Sequence, residues 1–90
     1  PLHFAAWTGN KFLGAALLAA KAQTDRQNEN GDTPLTMAAR EGNADFVELL
    51  IEAGADVNMA DNLQHTALHY AAERGYNQIV EMLLASGAEG

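Results

Sequence analysis

TPLTMAAREGNADFVELLIEAGADVN, Thr33 to Asn58, carries the plan of the whole chain. Thr33 is a good N-cap, because its hydroxyl accepts from the free N–H groups of a first helical turn. Pro34 follows at the first helical position, where a missing N–H costs nothing. Leu35, Ala38 and Ala39 then place a small apolar stripe at helical spacing, and Gly42 stops the helix. A second helix follows, with Phe46, Val47, Leu50 and Ile51 on its apolar face. Asp45, Glu48 and Glu52 face water, and Gly54 supplies the left-handed residue at its end. Each helix has about 8–10 residues, too few to stand alone in water. Stacking against neighbours must hold it.

The neighbours lie on both sides at a spacing of 33 residues. PLTMAAREGN from Pro34 is preceded by PLHFAAWTGN from Pro1 and followed by ALHYAAERGY from Ala67, without a gap. Residues 33–57 and 66–90 agree at ten positions, among them Leu35/Leu68, Ala38/Ala71, Gly42/Gly75, Leu50/Leu83 and Gly54/Gly87. Thr66 can cap the third unit, although Ala67 replaces the proline. A fixed period in this range means one supersecondary unit, stacked so that neighbours bury each other's apolar faces.

These residues resemble the ankyrin repeat over all 90 positions of the chain. The resemblance implies an all-α solenoid of helix-turn-helix units, each opened by a β-turn finger. It gives one domain, 1–90, with a partial unit at 1–27, a complete one at 28–60 and a nearly complete one at 61–90. The chain starts and stops inside a unit, with Leu2, Phe4 and Leu13 near one end and Leu84 near the other. The expectation is a segment of a longer array, flanked by further repeats and more stable with them.

Composition narrows the function. The formal net charge is −7, from five basic and twelve acidic residues. That cannot supply the phosphate-neutralising stripe that nucleic-acid binding needs, so neither nucleic acid nor an anionic membrane surface is expected as partner. A protein with a basic or mixed-charge surface is. There is no cysteine, no stretch long enough to span a membrane, no secretory signal and no N-x-S/T site. These fit a cytoplasmic location, or a nuclear one.

Candidate chemistry is sparse. His65 and His69 have the i, i+4 spacing of two metal ligands on one helix. His65, however, precedes the capping Thr66, so the rings need not share a face, and no third ligand is near. The resemblance gives His69, like His3, a structural role, bonding within its unit and to its neighbour, with Thr36 in that place in the second unit. Asp56, Asn58 and Asp61 lack the alternation, central glycine and closing glutamate of a calcium loop. No nucleophile set or phosphate loop can be assembled. The reading is no catalytic residue, no metal site, no cofactor and no enzyme. Asn58, eight residues after Leu50 and preceded by Asp56-Val57, looks like the site that asparaginyl hydroxylases modify in ankyrin repeats. The plainer alternative is a loop residue bonded to backbone.

The resemblance also implies a concave binding face of fingertips and first-helix positions. Residue by residue these are Gln27, Glu29, Asn30 and Asp32 on the first finger, and Ala60, Asn62, Leu63 and His65 on the second. The helix positions are Trp7, Thr8, Arg40, Glu41, Glu73 and Arg74, with Phe4, Met37 and Tyr70 partly buried beside them. Leu63 aligns with Asn30, and Trp7 aligns with Arg40 and Glu73. Large apolar residues at otherwise polar places are natural anchors for a partner. Against this, Trp7 could pack on upstream structure and Leu63 could fold back on its finger.

Three departures from the period carry further expectations. Gly14 replaces a core valine, leaving a hole or a closer approach. Lys21 replaces the helix-ending glycine, at a cost of about 1 kcal/mol where a left-handed residue is still required. Gln64 replaces Gly31 of the Asn30-Gly31 turn, so the second finger is expected to use a different turn or to carry strain, and to be the less regular one.

Overall, a non-catalytic protein-binding module is the leading reading. The alternatives are an architectural or self-associating spacer, with dimer contacts through Leu2 or Leu84, and a targeting segment of a larger enzyme, channel or signalling protein.

Overall fold

A computed structural model describes residues 2–20 and 23–88. It contains six helices: α1 Leu2–Thr8, α2 Lys11–Ala19, α3 Pro34–Glu41, α4 Ala44–Glu52, α5 Ala67–Arg74 and α6 Asn77–Ala85. No strand occurs among the described residues. Each unit is an antiparallel pair. α3 packs between α1 and α5 to form an inner row, and α4 packs between α2 and α6 to form an outer one. None of these helices is long and apolar enough to cross a membrane.

The local signals act as the sequence reading expects. Thr33 Oγ1 accepts from Thr36 N at 3.1 Å, and Thr66 Oγ1 from His69 N at 3.4 Å. Gly42 and Gly75 end α3 and α5 in the left-handed conformation, and Gly54 follows the end of α4 in the same conformation. Lys21, where such a glycine is missing, lies outside the described residues.

One core runs through the stack, with alanines beside Leu2, Leu35 and Leu68 in the inner row and larger side chains in the outer. Ala5, Ala6, Ala38, Ala39 and Ala71 are all fully buried, which lets α1, α3 and α5 lie close together. Phe46, Val47, Leu50, Ile79 and Leu83 fill the space behind them. Packing of this kind supplies what helices of seven to nine residues cannot supply themselves.

Gly14 takes the closer approach and leaves no hole. A Cβ there would sit 2.5 Å from Phe46 Cε2 and 2.6 Å from Phe46 Cζ. The aromatic ring of the second unit occupies the volume that a valine side chain fills at Val47, one repeat on.

Asn10 and Asn43 are the same residue at the same place in the repeat, yet they do different things. Asn10 caps α2, accepting from Leu13 N at 3.0 Å. Asn43 makes no cap bond. Its Nδ2 reaches back 2.8 Å to the carbonyl of Ala6 and ties the second unit to the first.

Candidate functional site

The fingers carry many of the residues expected to bind a partner, and one side chain builds each. Asn28 Oδ1 accepts from Asn30 N at 2.9 Å and Asp32 N at 3.0 Å. One repeat later, Asp61 Oδ1 accepts from Leu63 N and His65 N, both at 2.9 Å. The backbone repeats as well, with Gly31 N donating to Asn28 O and Gln64 N to Asp61 O. Of the two alternatives for the second finger, the different turn is corrected and the strain is found. Gln64 adopts φ 67° and follows the path of Gly31 at φ 80°. The hydrogen-bond set outweighs the strain of one non-glycine residue in left-handed space.

The fingers are fastened to each other. Asn62 N donates to Asn30 O at 3.0 Å and its Nδ2 to Glu29 O at 2.9 Å. Gln27 Nε2 donates to Gly31 O and Ala60 O, both at 2.9 Å. Gly31 serves twice here, because a Cβ would stand 2.7 Å from Asn62 N. His3 Nε2 adds a tie from α1, donating to Asp32 O at 2.7 Å.

Two residues expected on the binding face lie beneath it. Asp32 is 1% exposed and Tyr70 is 8% exposed. Arg40 donates to both carboxylate oxygens of Asp32, at 3.0 and 3.3 Å, and its guanidinium carbon lies 5.4 Å from the Tyr70 ring centre. The Tyr70 hydroxyl donates to Asp61 Oδ2. Asp32, Arg40, Tyr70 and Asp61 form one line across two units. Sequence alone hides it, because no two neighbours in it share a repeat position.

Electrostatics follow from that line. Burial works against the Arg40 charge, but Asp32 and then Tyr70 outweigh it and raise its pKa. Burial also works against the Asp61 carboxylate. Hydrogen bonds from Tyr70, His65 and Leu63, with the nearby His65 ring, still bring it below the ordinary range. Burial and the Asp61 carboxylate together push the Tyr70 phenol up.

The remaining candidates are surface residues. Leu63 is 70% exposed and does not fold back on its finger. Trp7 is 56% exposed, its ring 6.4 Å from that of Phe4, which is itself exposed and not partly buried as expected. Thr8, Glu29, Asn30, Glu41, Asn62, Glu73 and Arg74 are exposed as well, and His65 is half-buried. Two open depressions join at Arg40. One is lined by His3, Phe4, Trp7 and Met37, the other by Asn30, Asp32, Asp61, Asn62, Leu63 and Tyr70.

The two histidines lie together. Their rings stack at 3.9 Å with 11° between planes, so they do share a face. His65 Nδ1 is buried without a hydrogen-bond partner, and His69 Nε2 lies 3.7 Å from Glu73. Among the described residues no group of three or more His, Cys, Asp or Glu is placed to hold a metal ion. Asn58 donates from Nδ2 to Gly87 O at 3.3 Å, which ties its loop to the end of the third unit.

Phe12 was not anticipated. It is 89% exposed at the start of α2. The period held the signal, because Asp45 and Gln78 occupy its place in the other units.

Comparison with known proteins agrees with the architecture. No curated protein matches the chain significantly. The ankyrin-repeat family does match, in three copies across residues 2–90. With three helical hairpins at a 33-residue period, fingers opening the second and third, and that match along nearly its whole length, the chain belongs to the ankyrin-repeat family.

Proposed function

We propose that this array binds a partner protein through its concave face, with Leu63 and Trp7 as the principal anchors. Ankyrin repeats mediate protein–protein interaction and are generally non-catalytic. The observation that carries the reading is the exposure of these two large side chains, 70% and 56%, on a frame braced beneath them. Asn28 and Asp61 fix the finger backbones, and the Asp32–Arg40 pair fixes the groove floor. A surface ordered before contact loses little freedom on binding. The acid-rich composition favours a basic or mixed-charge partner.

The test is a partner recovered with the whole chain, followed by affinities for Leu63→Ala and Trp7→Ala. Both variants are expected to lose about tenfold or more in affinity while keeping the parent melting temperature. Wild-type affinity in both would reject the assigned face.

One observation favours a second reading, self-association. The water-facing places of α4 hold Asp45, Glu48 and Glu52, whereas α2 has Phe12, Ala15 and Ala19, all exposed. Leu2 is buried and unsuited to such a contact, but Phe12 and Leu84 are exposed. Sedimentation of Phe12→Asp and Leu84→Asp decides it. A dimer lost in either variant supports the second reading, and a monomer at every concentration removes it.

A further inference from the structure

The groove changes chemistry along the stack, and the change turns on Arg40. On the α1 side it is walled by Phe4, Trp7 and Met37. Arg40 is the charged residue lining this part, but its guanidinium is bound by Asp32 and lies over Tyr70. It is therefore poorly placed to recruit a partner's acid. On the finger side the lining is Asp32, Asp61 and Tyr70, with Asn30, Asn62 and Leu63 beside them; the carboxylates and amides are its polar part. Arg40 neutralises Asp32. Asp61 instead receives a phenol and two backbone N–H groups, which are neutral donors. Two carboxylates against one guanidinium leave this compartment negative, and the exposed Glu29 stands next to Asn30 on the same finger.

We infer that the partner segment carries a large apolar side chain for the Phe4–Trp7–Met37 compartment and a Lys or Arg for the Asn30–Asp61–Asn62 compartment. The inference rests on the concave-face reading and gives it a sequence requirement. Neighbouring inner helices lie about 8–10 Å apart, which an extended segment covers in about three residues. The anchor and the basic residue are thus about three positions apart. The basic contact is electrostatic and weakens with salt, whereas the apolar contact persists.

The experiment selects short random peptides displayed against the whole immobilised chain, then measures the winners free in solution. Trp7 is the sole tryptophan, so its emission reports on the first compartment directly. The winners should pair a bulky apolar residue with Lys or Arg at that spacing, shift Trp7 emission to the blue and bind less tightly in high salt. Trp7→Ala should weaken them about tenfold. Asn30→Lys, an exposed change in that lining, should weaken them about threefold or more, and less in high salt. Winners without basic residues, or unaffected by Asn30→Lys, overturn the inference. If such peptides still depend on Trp7 and Leu63, the concave-face reading survives. Peptides indifferent to all three positions overturn both.

Discussion

Gln64 holds, at φ 67°, the left-handed backbone that Gly31 holds at φ 80° one repeat earlier. An L-residue in this region costs about 1–2 kcal/mol, because its Cβ crowds the following carbonyl. The second finger bears that strain, since four hydrogen bonds centred on Asp61 fix the path: two to its Oδ1, one from Gln64 N to its carbonyl and one from its own N to His65 O.

Gln64→Gly should therefore raise stability by about 0.5–1 kcal/mol, after the extra chain entropy of glycine is subtracted. Urea unfolding checks it, through a higher midpoint at unchanged slope. Gly31→Ala should lose more than Gln64→Gly gains, because a Cβ at position 31 meets Asn62 Oδ1 at 2.6 Å as well as the backbone strain. An unchanged midpoint in both variants would mean that the fingers carry no strain.

Gly14 and Phe46 give a second prediction in which two effects oppose each other. Helix propensity alone favours Gly14→Ala by about 1 kcal/mol. The added Cβ, however, would lie 2.5 Å from an aromatic ring that is 1% exposed and closely packed. Overpacking costs about 1–3 kcal/mol, so the variant should be destabilised on balance. Phe46→Leu should cost less in the Gly14→Ala background than in the parent. A stabilised Gly14→Ala, or strict additivity of the two changes, would contradict the packing account.

The Asp61–Tyr70 bond should shape stability at both ends of the pH scale. The Asp61 pKa is lowered in the folded state, so its stabilisation is present above the ordinary carboxylate range and is lost as pH falls through the lowered value. The Tyr70 pKa is raised, so its stabilisation is full below the ordinary phenol range and is lost as pH rises through the raised value. Tyr70→Phe should cost about 1–2 kcal/mol at neutral pH, leaving Asp61 Oδ2 without the donated bond. The gap between parent and variant should narrow in acid and again in alkali. A gap constant from acid to alkali would show that the bond does not report on either group.

Much of this was legible in the sequence, because the repeat supplies its own control. Positions that agree between units, such as Leu35/Leu68 and Ala38/Ala71, mark the core. Caps and helix ends followed from single residues, and their aligned counterparts marked Leu63 and Trp7 as exceptions while leaving a packed alternative open for each. What escaped depended on contacts between units. Asp32 reads as a polar fingertip residue until Arg40 is seen to cover it. Tyr70 reads as partly buried groove lining, which it is, but nothing in the sequence shows that its hydroxyl reaches Asp61. Asn10 and Asn43 are indistinguishable in sequence, and only the position of Ala6 separates a cap from a tie. A spacing of 33 residues states which positions are equivalent, but not which non-equivalent ones meet across a stack.

The Asp32–Arg40 pair tests that last point. Asp32 is 1% exposed and the Arg40 side chain 25%, so the carboxylate depends on the guanidinium far more than the reverse. Arg40→Met keeps most of the aliphatic stem over Tyr70 but leaves the carboxylate buried without its cation. The loss should be about 2 kcal/mol, below the range for a fully buried pair because one partner reaches water. Adding Asp32→Asn removes the stranded charge and should return part of that stability, although Asp32→Asn alone is destabilising. The sign of the coupling separates the two explanations of a damaged Arg40→Met. A double variant more stable than Arg40→Met attributes the damage to the unpaired carboxylate. One that is less stable attributes it to lost packing on Tyr70, and Arg40 would then brace the groove through its stem.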